Sequence, residues 1–213
     1  MSDQKKPSKL RRSLFTIFFM FAVTFVFIAV LSLIYVLTQD TIRLNESLVV
    51  KRSVLYVAGL EVPQTGIEAD ASYQERVEEV KNEDGEVLYY EILDPAGEQL
   101  QSYVVPVLGA GLWGEIESVV GVEKDLKTLT GIEFIKQNET PGLGGRITES
   151  WFKEQFRGKR WPLSVVPEGD PAGDQEFQAI TGATNTTIAV RSILNERLAR
   201  AEEVIQVSEQ ERQ

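Results

Sequence analysis

The sequence predicts an α+β fold: an antiparallel sheet flanked by helices, preceded by a single N-terminal transmembrane helix. Three observations predict it. From Ser13 to Gln39 there is no charged residue, and Phe15 to Leu37 is a run of 23 mostly apolar residues, where roughly 20 helical residues span a bilayer core. Between residues 86 and 137, runs rich in Val, Ile, Tyr and Leu alternate with turn signals, the order of an antiparallel meander. Before and after these runs the apolar spacing is helical.

The N-terminal segment reads as a retained anchor. A secretory apolar region is shorter, about 7–15 residues, and ends in a small-residue cleavage site; this one ends in Tyr35-Val36-Leu37-Thr38. Residues 1–12 carry Lys5, Lys6, Lys9, Arg11 and Arg12 against Asp3. That flank predicts a cytoplasmic N-terminus and places everything after Thr38 on the far side. The expected organisation is a basic tail over 1–12, a transmembrane helix over 13–39, a juxtamembrane helical region over 40–85 and a folded domain over 86–213.

Within the juxtamembrane region, Asn45 to Leu60 has helical spacing and Gly59 as a stop. Val62 to Ala71 reads as loop, Tyr73 to Asn82 as a short surface helix, and Asp84-Gly85 as a turn. Strands follow at Glu86–Leu93 and Leu100–Leu108, separated by the turn Asp94-Pro95-Ala96-Gly97. Gly109 to Gly114 is a glycine-rich corner carrying Leu112 and Trp113. Further strands are expected at Glu115–Val122 and Thr130–Gln137, and a helix at Glu149–Phe156.

Composition excludes several chemistries. The chain has no cysteine and no histidine. It therefore has no thiolate nucleophile, no cysteine-ligated cluster, no histidine metal site and no Ser-His-Asp triad. Redox chemistry in such a chain must come from an organic cofactor. The net charge is -10, which argues against nucleic acid, whose phosphates are bound mainly by Lys and Arg. No G-x-G-x-x-G opens a βαβ unit, so no dinucleotide site is expected.

Two stretches carry functional information. Thr181-Gly182-Ala183-Thr184 follows the apolar run Phe177–Ile180. It precedes a helical pattern marked by Val190, Ile193, Leu194, Leu198, Ala201, Val204 and Ile205. A Gly-Ala pair leaves room for a ligand at the backbone, and a helix start favours a phosphate; the plainer reading is that Thr184 or Thr186 caps the helix. The second stretch is Asn138 to Ile147, with Glu139-Thr140-Pro141-Gly142-Leu143-Gly144 at its centre. Its glycines and proline make a rigid loop that lets the backbone approach something flat, or that merely joins a strand to a helix.

Taken together, these motifs resemble the FMN-binding domain family found in the C subunit of Na⁺-translocating NADH:quinone reductase and in the G subunit of Rnf electron-transport complexes. The Gly111-Leu112-Trp113 corner and Trp151 to Lys159 look more like the quinone-reductase member. The resemblance implies FMN as cofactor, joined through its 5′-phosphate to the last Thr of the tetrad, here Thr184, by a separate Mg²⁺-dependent flavin transferase using FAD. It implies an electron-carrying subunit without independent catalysis, in a bacterial inner membrane, among other subunits of a membrane redox complex. Gly182 and Ala183 would leave room for the flavin and the modifying enzyme, and Thr181 would hydrogen-bond the phosphate or only hold the turn, while Glu139, Thr140, Gly142, Leu143 and Gly144, with Leu112 and Trp113, would line the flavin slot. Trp113 has an equally ordinary reading as a core residue, and Glu139 as a solvated loop acid or helix-capping partner. One departure is visible: the family's attachment motif usually begins with Asp six residues before the modified Thr, and here that position is Gln178. It keeps open an anchored, flavin-less binding or assembly module.

Overall fold

A computed structural model describes residues 9–212 of the chain. Residues 1–8 of the expected basic tail lie outside them. Helix α1 runs from Lys9 to Val57. The stretch contains neither Gly nor Pro, so nothing in it stops a helix between the expected membrane span and the expected juxtamembrane helix, and the two are one element. The chain divides into two compact units, Met1–Ser47 and Leu48–Gln213. In the first, the large apolar side chains from Leu14 to Leu37 are exposed. This helix is long and apolar enough to cross a membrane.

The second unit is built on a five-stranded antiparallel sheet in sequential order. Its strands are β1 (Val77–Lys81), β2 (Val87–Leu93), β3 (Leu100–Ala110), β4 (Glu115–Glu123) and β5 (Leu129–Lys136). The last four lie where the period-two runs place them. Between α1 and β1 lies helix α2, Gly66–Arg76, where the sequence suggests a loop. Thr65 caps it, its side chain accepting from Glu68 N. The expected surface helix at Tyr73–Asn82 is instead the end of α2 followed by β1. Val77 and Val80 are spaced for one helix face, yet in β1 they fall on opposite faces; the hairpin turn decides: Gly85 N donates to Asn82 O and Asn82 N to Glu86 O. Residue 86 thus falls inside a hairpin of the sheet.

Both faces of the sheet are covered. Val105 belongs to a core with Val190, Leu194 and Leu198 of helix α4 (Thr184–Glu211). Val104 belongs to a second core with Val54, Leu55 and Val57 of α1 and Tyr73 of α2. Successive strand residues point to opposite faces, so α4 lies on one side and the end of α1 with α2 on the other. Contact with α4 is close at Gly109, where a Cβ would lie 2.6 Å from Ile193 Cγ1.

After β5 come a 3-10 helix (Gly144–Thr148), α3 (Ser150–Glu154) and the short parallel pair β6 (Ser164–Val166) and β7 (Glu176–Gln178). Phe152, Phe156 and Phe177 are fully buried together, with Phe156 and Phe177 ring centroids 4.7 Å apart. Burial of such a side chain is worth about 1.5–3 kcal/mol. The cluster locks α3 against β7, the strand that leads directly into Thr181–Thr184.

Candidate functional site

The tetrad is a tight turn at the foot of α4. Ala183 N donates to Ile180 O at 2.9 Å, and Gly182 takes φ +80°, a left-handed conformation that costs other residues about 1–2 kcal/mol. Thr187 pins the turn from inside: its buried hydroxyl accepts from Ile180 N and donates to Ala183 O at 3.1 Å. Helix α4 then begins at Thr184 with no side-chain cap. Neither Thr184 nor Thr186 caps it, and its first N–H groups have no side-chain acceptor among the described residues, the arrangement that favours an anion. Thr184 is exposed, and its hydroxyl makes no hydrogen bond among the described residues.

Glu139 joins the three segments singled out in the sequence. It is 5% exposed, not a solvated loop acid. One carboxylate oxygen accepts from Leu112 N at 2.7 Å and Trp113 N at 3.1 Å, and the other accepts from the buried Thr186 hydroxyl at 2.6 Å. Two glycines exist for this carboxylate. A Cβ on Gly144 would lie 2.5 Å from Thr186 Oγ1 and 2.8 Å from Glu139 Oε2, and one on Gly111 would strike Glu139 Oε1. The sequence suggests that the glycine-rich loop admits something flat; at Gly144 the space is taken by the protein's own acid. Gly142 is different, with φ +73° and open space about it. Its loop is held by Leu143 N and Gly145 N, which both donate to Thr140 O.

Large apolar side chains are exposed at this end of the domain beside the polar ones. Leu112 is 49% exposed, Trp113 70% and Leu143 44%, so the core reading of Trp113 does not hold. Leu143 covers the tetrad: a Cβ on Gly182 would lie 3.2 Å from Leu143 Cδ2. Ile188, one turn along α4 from Thr184, is also exposed.

Three residues of this region give no functional signal in the sequence. Thr186 is legible only as a possible cap, and Thr187 as helix. Glu168 lies in an irregular stretch with Pro167, Gly169 and Pro171. It reaches the tetrad, accepting from Thr181 N at 2.6 Å. The Thr181 hydroxyl foremost, then that N–H, hold the Glu168 carboxyl below its ordinary range. Arg146 Nη2 stands 4.0 Å from it, and the Arg146 guanidinium lies over the Trp151 ring. Gln178, the departure from the motif, is fully engaged. Its amide oxygen accepts from Gly169 N at 3.0 Å, its amide nitrogen donates to Asp170 O at 2.9 Å, and its backbone N donates to Gln155 Oε1 at 2.7 Å. No cluster of acids able to hold a metal occurs among the described residues.

The chain is similar to known proteins over this region. A profile of the FMN-binding domain matches residues 111–199, which take in the Leu112–Trp113 corner, the Glu139–Gly144 loop and the tetrad. The G subunit of an ion-translocating oxidoreductase complex from Methanosarcina acetivorans is 32% identical over 200 residues, 92% of this chain and 94% of that protein. The C subunit of a Na⁺-translocating NADH-quinone reductase from Vibrio anguillarum is 36% identical over 104 residues, 45% of this chain and 41% of the relative, so the match spans about two fifths of that protein's length. Among solved structures, the C subunit of a Na⁺-translocating NADH-quinone reductase from Parabacteroides distasonis superposes with a TM-score of 0.61 at 26% identity, covering 75% of this chain and 92% of that one. NqrC of Shewanella oneidensis has the same fold, with a TM-score of 0.62 at 20% identity, covering 72% of this chain and 96% of that one.

Proposed function

The chain belongs to the FMN-binding domain family, whose cofactor is FMN, and from that premise we propose that it is a membrane-anchored electron-transfer subunit carrying FMN as a phosphoester on Thr184. The observation that carries this reading is the Thr184 hydroxyl: exposed, without a protein partner, at the uncapped start of a 28-residue helix, beside a turn covered by an exposed apolar side chain.

The residues present fit the group. The start of α4 offers N–H groups and the positive end of its dipole to a phosphate diester. Leu143, Leu112 and Trp113 offer apolar surface to a flat ring, and Glu139 holds the segments that carry them. Gly182 and Ala183 add little bulk beside the exposed Thr184. The flavin supplies the redox chemistry, and the protein supplies position and electrostatics. In attachment, Thr184 Oγ1 forms a bond to the flavin-side phosphorus of FAD, the pyrophosphate P–O bond breaks, AMP leaves, and the hydroxyl proton is lost. A separate flavin transferase catalyses that step.

On this reading the N-terminus is cytoplasmic, α1 crosses a bacterial inner membrane, and the flavin domain stands on the outer side among the other subunits of an ion-translocating NADH:quinone reductase. A second reading, the G subunit of an Rnf-type complex, is favoured by the match in length: the relative of that kind is covered over 94% of its extent. The flavin chemistry is common to both, and NADH oxidation belongs to another subunit in either.

The test is the intact mass of the full chain co-expressed with a flavin transferase, with in-gel flavin fluorescence after denaturation. The expected result is a gain of one FMN less water, mapped to the peptide with Thr184 and abolished in Thr184→Val. Full covalent yield in Thr184→Val overturns the assignment of that residue. A chain that takes no flavin at all is the binding or assembly module instead.

A further inference from the structure

Thr187 holds the tetrad from inside, and on its outer side the backbone of Thr181 is tied to Glu168. Thr181 N–H takes no part in the turn bond from Ala183 N to Ile180 O; it donates to Glu168, thirteen residues upstream, at 2.6 Å. Residue 168 sits in a stretch that belongs to no helix or strand, between β6 and β7. What fixes it is Gln178. The two atoms of its amide bind the backbone of Gly169 and Asp170, the residues that follow Glu168. Its own backbone is tied to Gln155, just after α3. Contacts therefore run in series from Gln155 through Gln178 and Glu168 to Thr181. Aspartate at 178 could not replace Gln178, because this position needs a donor and an acceptor and a carboxylate only accepts.

We infer that Glu168 is a positioning residue for flavin attachment, holding the Thr181–Thr184 turn in the form that exposes Thr184, and that Gln178 positions Glu168. The inference rests on the proposed attachment at Thr184. A bond from a backbone N–H to a carboxylate is among the stronger hydrogen bonds. It joins an irregular segment to the one exposed side of a turn whose geometry decides where the hydroxyl stands. Arg146, 4.0 Å from Glu168, is the neighbouring cation of the carboxylate.

The experiment has two arms, both on the full chain in detergent. In the first, purified chain is incubated with a flavin transferase, FAD and Mg²⁺, and covalent flavin is followed with time. Glu168→Ala is expected to label about tenfold more slowly, the scale of losing one charge-assisted bond. Glu168→Gln keeps an oxygen that accepts from Thr181 N–H and is expected to restore the rate to within about twofold. Gln178→Ala slows labelling as Glu168→Ala does, and the double variant is no slower than either, because the two residues act in series. In the second arm, hydrogen exchange of the peptide carrying Thr181 is measured on unlabelled chain. It is faster in Glu168→Ala and near wild type in Glu168→Gln. Wild-type labelling in Glu168→Ala, or an effect of Glu168→Gln as large as that of Glu168→Ala, overturns the inference. If the wild-type chain takes no flavin, the proposed attachment fails. The brace is then judged by exchange alone, and unchanged exchange in Glu168→Ala overturns it.

Discussion

Replacing Glu139 by alanine tests whether one buried carboxylate organises the site. The side chain is 5% exposed and accepts from Leu112 N, Trp113 N and Thr186 Oγ1. In Glu139→Ala all three donors lose their acceptor. Leu112 and Trp113 have exposed side chains on a corner, so water can reach their N–H groups. Thr186 is 1% exposed, and its hydroxyl is left without a partner, a penalty of about 1–3 kcal/mol. Adding the lost charge-assisted bonds and the cavity gives a destabilisation of about 3–5 kcal/mol. Glu139→Gln keeps the volume and an oxygen for the two N–H groups, and the Thr186 hydroxyl can rotate to accept from the amide nitrogen. Its cost is about 1–2 kcal/mol. The assay is thermal unfolding of the full chain in detergent, followed by tryptophan fluorescence. For a unit of this size about 2–4 °C accompanies each kcal/mol, so Glu139→Ala is expected to melt about 10 °C lower and Glu139→Gln about 4 °C lower. Alanine and glutamine variants that both melt with wild type refute the reasoning. So does an alanine variant less damaging than the glutamine one, because the carboxylate would then be a burden rather than a tie.

Two further outcomes are expected. Gly182→Ala places a Cβ at a residue with φ +80°, 3.2 Å from Leu143 Cδ2; it should lower stability by about 1–2 kcal/mol and slow flavin attachment, and unchanged melting and labelling would show that the turn tolerates a side chain. Glu154→Gln addresses pH. The Tyr56 hydroxyl first, with Arg157, holds the Glu154 carboxyl below its ordinary value of 4.5. Its stabilisation is complete above that value and is lost as pH falls through the depressed one. The Glu154 side chain is 48% exposed, so screening limits the effect to a few tenths of a kcal/mol. Melting curves at pH 7 and pH 3.5 should differ less in Glu154→Gln than in wild type, and parallel shifts would count against the pairing.

How much of the fold is legible in the sequence depends on whether the signal is local. Strands β2 to β5 are legible because period-two runs and turn residues such as Asp94-Pro95-Ala96-Gly97 are local properties. Strand β1 is not, since the three-residue spacing of Val77 and Val80 is that of a helix face, and in the strand the two point to opposite sides of the sheet. Helix α2 is masked although Thr65-Gly66-Ile67-Glu68 has the spacing of a capping box; Pro63 and Gly66 read more loudly as loop. The tetrad is legible because small residues before a helical period say where a helix begins. Burial of Glu139 is not, because its donors lie 26 and 27 residues upstream and 47 downstream, and a carboxylate in a glycine-rich loop gives no sign of pointing inward. Nor is Gln178 intelligible as a residue type. Its use is visible only once Gly169 and Asp170 stand on either side of its amide.

The arrangement around Thr184 also bears on how the residue becomes modified. Three of the polar groups near it have protein partners. Thr181 N–H is held by Glu168, Thr186 by Glu139, and Thr187 by the turn itself. Both oxygens of Glu139 are engaged, and the chain has no histidine. A threonine hydroxyl is a weak nucleophile unless a base stands beside it, and among the described residues no free base is hydrogen-bonded to this one. On the proposed reading the domain supplies the oxygen and the anion-favouring helix start, while activation of the hydroxyl and of the pyrophosphate comes from the transferase. That division of labour explains why the turn is braced so that Thr184 faces outward. A residue activated by its own fold can be sheltered, but one activated by a second protein has to be reached.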